Sequence, residues 1–217
     1  MKGLVGITWL AAFILCVFTS ISAQEKSVSE QQITAIKNSA AEKLSRSRFR
    51  VKMTSESYKN ADDSAPFWFY SSTMEITPDG YHSVVETKSD ARVNRTEIVK
   101  FGGRKFFRSN SGSWREVSST DEISGTGGEP SVPLFPVKSV EYKYLGRDII
   151  NGQNVYTYEI KTFGSDSVSF NTETMWVNKE GLYVKKKFET RQNKKVISTL
   201  VYDYEYDPNI KIEAPVK

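Results

Sequence analysis

Residues 44–53 read Leu-Ser-Arg-Ser-Arg-Phe-Arg-Val-Lys-Met, and the spacing of the apolar side chains changes inside this stretch. Beyond that point, Phe49, Val51 and Met53 alternate with basic residues. Successive side chains of a β-strand point to opposite faces, so this two-residue period predicts a strand with one apolar face. The stretch therefore marks the beginning of a sheet.

Upstream, residues 25–45 show the spacing of an amphipathic helix. Ser29 or Ser27 can cap its start, because a hydroxyl oxygen accepts a hydrogen bond from a free amide of the first turn. The apolar residues that approximate a period of about 3.6 residues are Val28, Ile33, Ile36, Ala40, Ala41 and Leu44. This is the one helix that the pattern predicts.

Downstream, short apolar runs alternate with turn signals as far as the C-terminus. Asn151-Gly152 is the strongest hairpin signal, and Pro78-Asp79-Gly80 and Gly102-Gly103 mark further turns. The pattern gives about nine to eleven antiparallel strands, and a sheet of that size has to curl, split or close. The predicted class is mainly β (α+β): a curved antiparallel sheet with the helix over its concave face, in a single domain of residues 24–217.

The first residues have the layout of a secretory signal peptide. Lys2 precedes an apolar run over residues 4–18, and small residues follow up to Ala23. The run of about 15 residues is shorter than the roughly 20 that cross a bilayer, so it does not predict a stable membrane span. Cys16 lies inside the run, where lipidation is not expected. We predict a signal peptide of residues 1–23, cleavage after Ala23 and a periplasmic protein.

Composition excludes several classes of protein. Cys16 is the only cysteine, so the mature chain has no disulfide, thiol nucleophile or cysteine-bound metal. The net charge is +4 with both signs interspersed, whereas a nucleic-acid binder usually concentrates basic residues on one face. For the densest basic run, Lys185-Lys186-Lys187, we predict a solvated strand edge; a weak attraction to anionic lipid headgroups is the alternative. No nucleic-acid partner is expected.

Side chains for catalysis are scarce. His82 is the only histidine and falls in a predicted strand, where a packing or surface role is expected for it. One histidine excludes a histidine-rich metal site, and no Gly-x-Ser-x-Gly nucleophile turn occurs. The glycines of residues 125–128 lack the Lys-Ser/Thr that a phosphate-binding loop requires. The sequence thus predicts no enzyme, no metal and no cofactor; an exported hydrolase of an unrecognised kind is the least favoured alternative.

Aromatic residues form the most informative constellation, at 12% of the chain. Many occupy alternating strand positions, where they either pack the sheet or line an apolar trough for a hydrophobic ligand. Residues 67–70 are bulky on both faces of their strand, so we expect both faces to be covered there. The candidate ligand-lining residues are Trp68, Tyr70, Met74, Phe101, Phe107, Trp114, Leu134, Phe135, Tyr144, Tyr158 and Trp176.

One segment lacks the alternating pattern of the predicted strands. Serine, threonine, glycine and proline dominate residues 118–136. A loop of that length in a compact domain is either a lid or binding loop, or a surface connection.

Four segments resemble the outer-membrane lipoprotein carrier (LolA-like) superfamily. Ile76-Thr77-Pro78-Asp79-Gly80-Tyr81 resembles its strand–proline–strand hairpin, and residues 97–107 (EIVKFGGRKFF) resemble its hairpin with an aromatic second strand. Residues 174–185 (TMWVNKEGLYVK) look like its closing Trp-Ile-Asp and Gly-Leu-Pro-x-Lys segment, and residues 202–215 look like its terminal strand. The superfamily also includes mycobacterial lipid-binding lipoproteins and the N-terminal domain of the periplasmic regulator RseB.

The resemblance implies an incomplete β-barrel, or half-barrel, with helical cover over its concave side. It implies a non-enzymatic protein that holds the acyl chains of a lipid or lipoprotein and carries them towards the outer membrane. A membrane-bound donor or acceptor would be its further partner. An RseB-like sensor that binds a partner protein is the alternative. By the same analogy, Leu134 and Phe135 would form a gate. Thr77 stands where the best-known carriers have a basic residue tied to lid closure.

Overall fold

The computed structural model describes residues 25–59, 65–89, 92–118, 135–166 and 168–215. The predicted signal peptide, its cleavage site after Ala23, Leu134 and most of the segment 118–136 lie outside the described residues. None of the helical structure in those five ranges is both long enough and apolar enough to span a bilayer.

Helix α1 spans Glu30–Arg46 and begins with a capping box. The Ser29 hydroxyl accepts a hydrogen bond from the Gln32 amide at 3.2 Å, and the Gln32 side chain accepts one from the Ser29 amide at 2.9 Å. These two bonds satisfy donors that a helix start otherwise leaves free. The prediction of Ser29 as the cap is confirmed, and the helix starts later than the predicted residue 25.

The strands form one twelve-stranded antiparallel sheet in the order β1-β8-β9-β10-β11-β12-β2-β3-β4-β5-β6-β7. Their bounds are β1 (Lys26–Ser27), β2 (Phe49–Ser57), β3 (Trp68–Thr77), β4 (Gly80–Ser89), β5 (Arg92–Phe101), β6 (Arg104–Ser109), β7 (Arg115–Val117), β8 (Val137–Ile150), β9 (Gln153–Gly164), β10 (Ser169–Asn178), β11 (Tyr183–Gln192) and β12 (Lys195–Tyr206). This open sheet with one helix in the described chain is a curved incomplete barrel, which confirms the predicted class. It has twelve strands where about nine to eleven were predicted, and one of the additional strands is the two-residue β1, which was predicted as helical.

One local feature differs from the predicted elements, and another agrees with them. Lys26 and Ser27, predicted as helical, form β1 because they pair with Tyr144 and Lys143 of β8. The Asn151-Gly152 turn joins β8 to β9 as predicted, and both of its residues have positive φ, at 51° and 75°. Asparagine and glycine tolerate that conformation better than other residues do, so this pair fixes the hairpin.

The pairing register divides the strand residues between two faces. We call the face that packs against α1 the helix face; it carries Trp68 and Tyr70. The opposite face, here the tail face, carries Phe69 and is contacted by the C-terminal segment through Ile210 and Ile212. This strand therefore carries bulky side chains on both faces, as predicted.

Apolar packing on the helix face falls into two clusters. Ile33 and Ala40 of α1 pack with Met175 and Val177 of β10 in the first cluster. The second lies on β12, β2, β3 and β4, and among the described residues of α1 only Leu44 packs against it. The helix therefore covers one half of this face much more completely than the other.

We expect Ile33→Ala to lower the free energy of unfolding by about 2–5 kcal/mol, because it removes buried methylene groups and leaves a cavity. Ile33 is 2% exposed and anchors α1 to the sheet. The control is Gln31→Ala on the exposed side of the same helix, with an expected change below about 0.5 kcal/mol. Urea unfolding followed by tryptophan fluorescence measures both; equal losses would contradict the anchoring role.

Candidate functional site

A row of six buried residues crosses the helix face from β10 to β4. Each is the registered cross-strand partner of the next, so their side chains lie side by side. None of them is more than 6% exposed. The row, called the central row below, consists of Met175, Lys186, Tyr202, Met53, Ser72 and Val85.

Aromatic rings border the central row. Phe188 and Tyr70 lie two residues along from Lys186 and Ser72, on the same face of β11 and β3. The rings of Phe188 and Tyr202 meet edge-on with centroids 6.0 Å apart, and Trp68 stacks on Tyr70 with centroids 5.8 Å apart. Such rings present a large apolar area with few rotatable bonds, so this border is a well-defined apolar surface.

Two buried serines interrupt that surface. Ser72 lies in the central row, and Ser83 of β4 is the partner of Met74 on β3. Both are almost completely buried, and neither hydroxyl oxygen has a hydrogen-bond partner in the described part of the chain. Because an unpaired buried hydroxyl costs free energy, these two positions favour the approach of a polar group.

A cavity of about 350 Å³ lies between α1 and the sheet. This volume is at the lower end of the range for small-molecule sites. Burial raises the pKa of the Tyr158 phenol, and the neighbouring Tyr144 and Tyr156 add to that effect, so Tyr158 stays neutral near neutral pH. The lining residues are Ala35, Ile36, Ser39, Tyr156, Tyr158, Val177, Asn178, Lys179 and Gly181.

A charged cluster connects α1 to the central row. Lys37 Nζ lies 2.6 Å from Glu173 Oε2, and Lys186 Nζ lies 3.6 Å from Glu173 Oε1. The Lys186 ammonium also stands 5.0 Å from the ring centroids of both Tyr183 and Phe188. The prediction of a solvated strand edge is wrong for Lys186, which is 3% exposed, because β11 is an interior strand.

The tail face carries an ionic network around Glu97. The Glu97 side chain accepts a hydrogen bond from Arg108 at 2.7 Å and lies 3.1 Å from the Arg95 guanidinium. Burial raises the pKa of the Glu97 carboxyl, but the hydrogen bonds and charges of Arg108 and Arg95 together lower it more, so this pKa lies below its ordinary value. His82 lies 3.8 Å from Glu97 and 3.9 Å from Glu75, so it belongs to the same network.

A second cavity, of about 290 Å³, opens on this network beneath the C-terminal segment. Ionic side chains supply much of its lining, unlike that of the cavity beside α1. Across the described ranges, no group of three or more His, Cys, Asp and Glu side chains is arranged to hold a metal ion. Its lining residues are Glu75, His82, Glu97, Val99, Arg108, Trp114, Lys211, Ile212, Glu213 and Pro215.

The structure divides the predicted ligand-lining residues between the two faces. Those on the helix face are Trp68, Tyr70, Met74, Phe107, Tyr144 and Tyr158. Those on the tail face are Phe101, Trp114 and Trp176. Phe135 precedes β8 and is half-buried, and Leu134 lies outside the described residues.

The sequence prediction did not include the polar members of the central row or its partners on β11 and β12. Ser72 and Lys186 carry no aromatic or alternation signal that singles them out, and Phe188 is one of many aromatic residues at strand positions. Met53 belongs to an alternating run from which its face could be read. To place these side chains, it is necessary to know which residues lie beside them on the two flanking strands, and the local sequence does not give this.

No family model matches the chain, and no curated protein matches it. Among solved structures it is similar to MucB of Pseudomonas aeruginosa in a MucA/MucB complex, with 12% identity and a TM-score of 0.43 over 86% of this chain. The chain spans 59% of that MucB chain, and 57% of the MucB chain in a complex with MucA(peri), which has 11% identity and a TM-score of 0.42 over 85% of this chain.

It is also similar to a LolA superfamily protein of Nitrosomonas europaea, with 13% identity and a TM-score of 0.28. That match covers 79% of this chain and 90% of the other. The family name in that description is the one that this sequence resembles.

We expect Glu97→Gln to lower the free energy of unfolding by about 1–3 kcal/mol near pH 7, because it weakens charge-assisted hydrogen bonds to a buried group. A carboxyl whose pKa is depressed in the folded state stabilises the fold above its unfolded pKa of about 4.3 and loses that contribution as pH falls through the folded value. The difference between wild type and Glu97→Gln should therefore shrink on acidification below that point.

Urea midpoints measured across that pH range test this expectation. Glu86→Gln is the matched control, because Glu86 is half-exposed and contacts the same Arg95 at 3.5 Å. It should change stability little at any pH. A penalty for Glu97→Gln that stayed constant across the range would contradict the assigned role of the Glu97 charge.

Proposed function

We propose that this chain is a non-enzymatic binding protein that holds an acyl chain on its helix face. The observation that carries the proposal is the central row, a buried strip crossing six strands. Adjacent strands lie about 4.8 Å apart, so the strip is about 24 Å long, comparable with an extended long acyl group. Each methylene group that such a ligand buries contributes about 0.8 kcal/mol.

The uneven cover of the helix face by α1 suits a ligand that has to enter and leave. α1 packs tightly over β10, whereas only Leu44 of its described residues packs against the second cluster. The apolar surface of β2, β3 and β4 is therefore the half on which an acyl chain can replace protein contacts. Trp68 and Tyr70 lie there, which supports their proposed role as lining residues.

We place this activity in the periplasm, in a single domain of residues 24–217 released by cleavage after Ala23. The role is that of a carrier that takes acyl chains of a lipid or lipoprotein from a membrane-bound donor towards the outer membrane. This part of the proposal rests on the signal-peptide layout of residues 1–23 and on the sequence resemblance.

We expect Trp68→Asp to weaken the binding of a fluorescent fatty-acid probe by about tenfold or more, because the new carboxylate places a charge against the acyl chain. Phe69→Asp is the matched control, since Phe69 lies on the same strand but on the tail face. It should leave the probe affinity unchanged. Circular dichroism checks that both variants are folded, and equal effects of the two substitutions would refute a site on the helix face.

A second candidate function is a sensor that binds an extended segment of a partner protein. The observation that favours it is the outer edge of β8, which among the described residues pairs with the two-residue β1 and with the Val28 amide that follows it. Val137, Val140 and Ile149 of this strand are exposed. A sheet edge with free backbone groups and exposed apolar side chains can accept an added strand.

Val140→Pro separates this function from lipid carriage. The Tyr142 carbonyl accepts from the Val28 amide, so backbone groups of even-numbered residues there point outwards, and proline removes an outward donor. Gentle extraction of each variant from the native host, followed by mass spectrometry, identifies the co-purifying molecules. A sensor gives a protein complex that is lost in Val140→Pro and kept in Val140→Ala; a carrier gives bound lipid in all three.

A further inference from the structure

The two unpaired serine hydroxyls of the helix face lie next to each other. Ser72 is 1% exposed and Ser83 is 0% exposed, and neither hydroxyl oxygen has a hydrogen-bond partner among the described residues. Ser72 pairs with Val85, and Ser83 precedes Val85 by two residues on β4, so the two serines are diagonal neighbours across β3 and β4. Such neighbours lie within roughly 8 Å of each other, so the two hydroxyls form one polar spot.

The surroundings of this spot are apolar. Met53 lies beside Ser72 on β2, and Ser83 lies between Met74 on β3 and Ile98 on β5. All of these neighbours are uncharged. An unpaired hydroxyl in such surroundings costs free energy that an alanine would avoid. Sequences break the rules of stable packing in this way at functional sites, where a ligand supplies the missing partner.

The spot belongs to the half of the helix face that α1 covers least. Among the described residues of α1, only Leu44 packs against the cluster on β12, β2, β3 and β4. From Ser72 the central row continues to Met175 on β10, which packs with Ile33 and Ala40 of α1. That distance is four strand spacings, roughly 19 Å, which is comparable with an extended long acyl chain.

We infer that the ligand carries a neutral acyl carbonyl, as in an ester or an amide, which lies at Ser72 and Ser83 while the hydrocarbon chain follows the central row towards α1. A carbonyl oxygen has two lone pairs, so it accepts hydrogen bonds from both hydroxyls. An ionised carboxylate is disfavoured at this spot, because its registered neighbours are uncharged and an unpaired buried charge is costly. The inference rests on the proposed acyl-binding function and adds the linkage of the ligand and the direction of its chain.

The experiment uses four competitors of a fluorescent fatty-acid probe: methyl palmitate, N-methylpalmitamide, hexadecyl methyl ether and ionised palmitate. The ether matches the ester but lacks its carbonyl oxygen. Wild type should bind the ester or the amide about tenfold more tightly than the ether, because two neutral hydrogen bonds together contribute about that factor. The tighter of these two identifies the linkage. Palmitate should bind more weakly than the ester.

The variant that tests the position combines Ser72→Ala with Ser83→Ala. It should abolish the preference for the carbonyl compounds and leave the affinity for the ether unchanged, and each single substitution should remove part of the preference. It should also raise the urea midpoint of the ligand-free protein by about 0.5 M, because two unpaired buried hydroxyls are removed. A purely structural role of the serines would give the opposite change in midpoint.

Ser71→Ala is the matched control. Ser71 is the next residue on β3 and lies on the tail face between Thr54 and Glu86. This substitution should change neither the preference among the competitors nor the urea midpoint.

The outcomes separate the two proposals. If none of the four compounds competes, both the acyl-binding function and this inference fail. If the ester, the amide and the ether bind equally to wild type, acyl binding stands and the carbonyl site is refuted. A preference that survives the double substitution refutes the position at Ser72 and Ser83, and tighter binding of palmitate than of the ester refutes a neutral site. A lower urea midpoint in the double variant shows that the hydroxyls have partners in the free protein and overturns the inference.

Discussion

The structure depends on keeping one face of a wide, open sheet away from water. In β2 the apolar Phe49, Val51 and Met53 all point one way, and the residues between them point the other way. Because the side-chain period is two, the register with β12 and β3 extends the same division across neighbouring strands. The hydrophobic effect then requires cover for the whole helix face, and α1 supplies most of it over one half of the sheet.

On the tail face, ion pairs between side chains are in contact with water. Arg50 lies between Glu75 at 2.7 Å and Glu205 at 2.9 Å, so one guanidinium joins side chains of three adjacent strands. Each such exposed pair adds little to stability, but the pairs need no cover. Among the described residues, Ile210 and Ile212 form apolar cover on this face where they pack on β5 and β6. The ionic character of the tail face is why we propose the helix face for an acyl ligand.

Local sequence pattern was enough to predict the helix, a serine cap at Ser29 or Ser27, the main hairpins and the bulky residues on both faces of β3. It failed for Lys186, because burial of that lysine depends on the flanking strands β10 and β12, and pairing between distant segments is not encoded in local alternation. Trp176 was predicted as a lining residue because it is an aromatic residue in a strand, although its neighbours Met175 and Val177 carry the apolar face of β10. The alternation of β10 could have placed Trp176 on the face opposite to Met175 and Val177. No local pattern could have predicted that Lys186 is buried.

One carboxylate joins the floor of the helix face to its cover. Glu173 lies 3.6 Å from Lys186 of the sheet and 2.6 Å from Lys37 of α1, so these ion pairs link the helix to the sheet. The apolar contacts of Ile33 and Ala40 are unaffected by that charge and keep α1 attached. The cover is therefore attached to the sheet by ion pairs at one point and by apolar contacts at another.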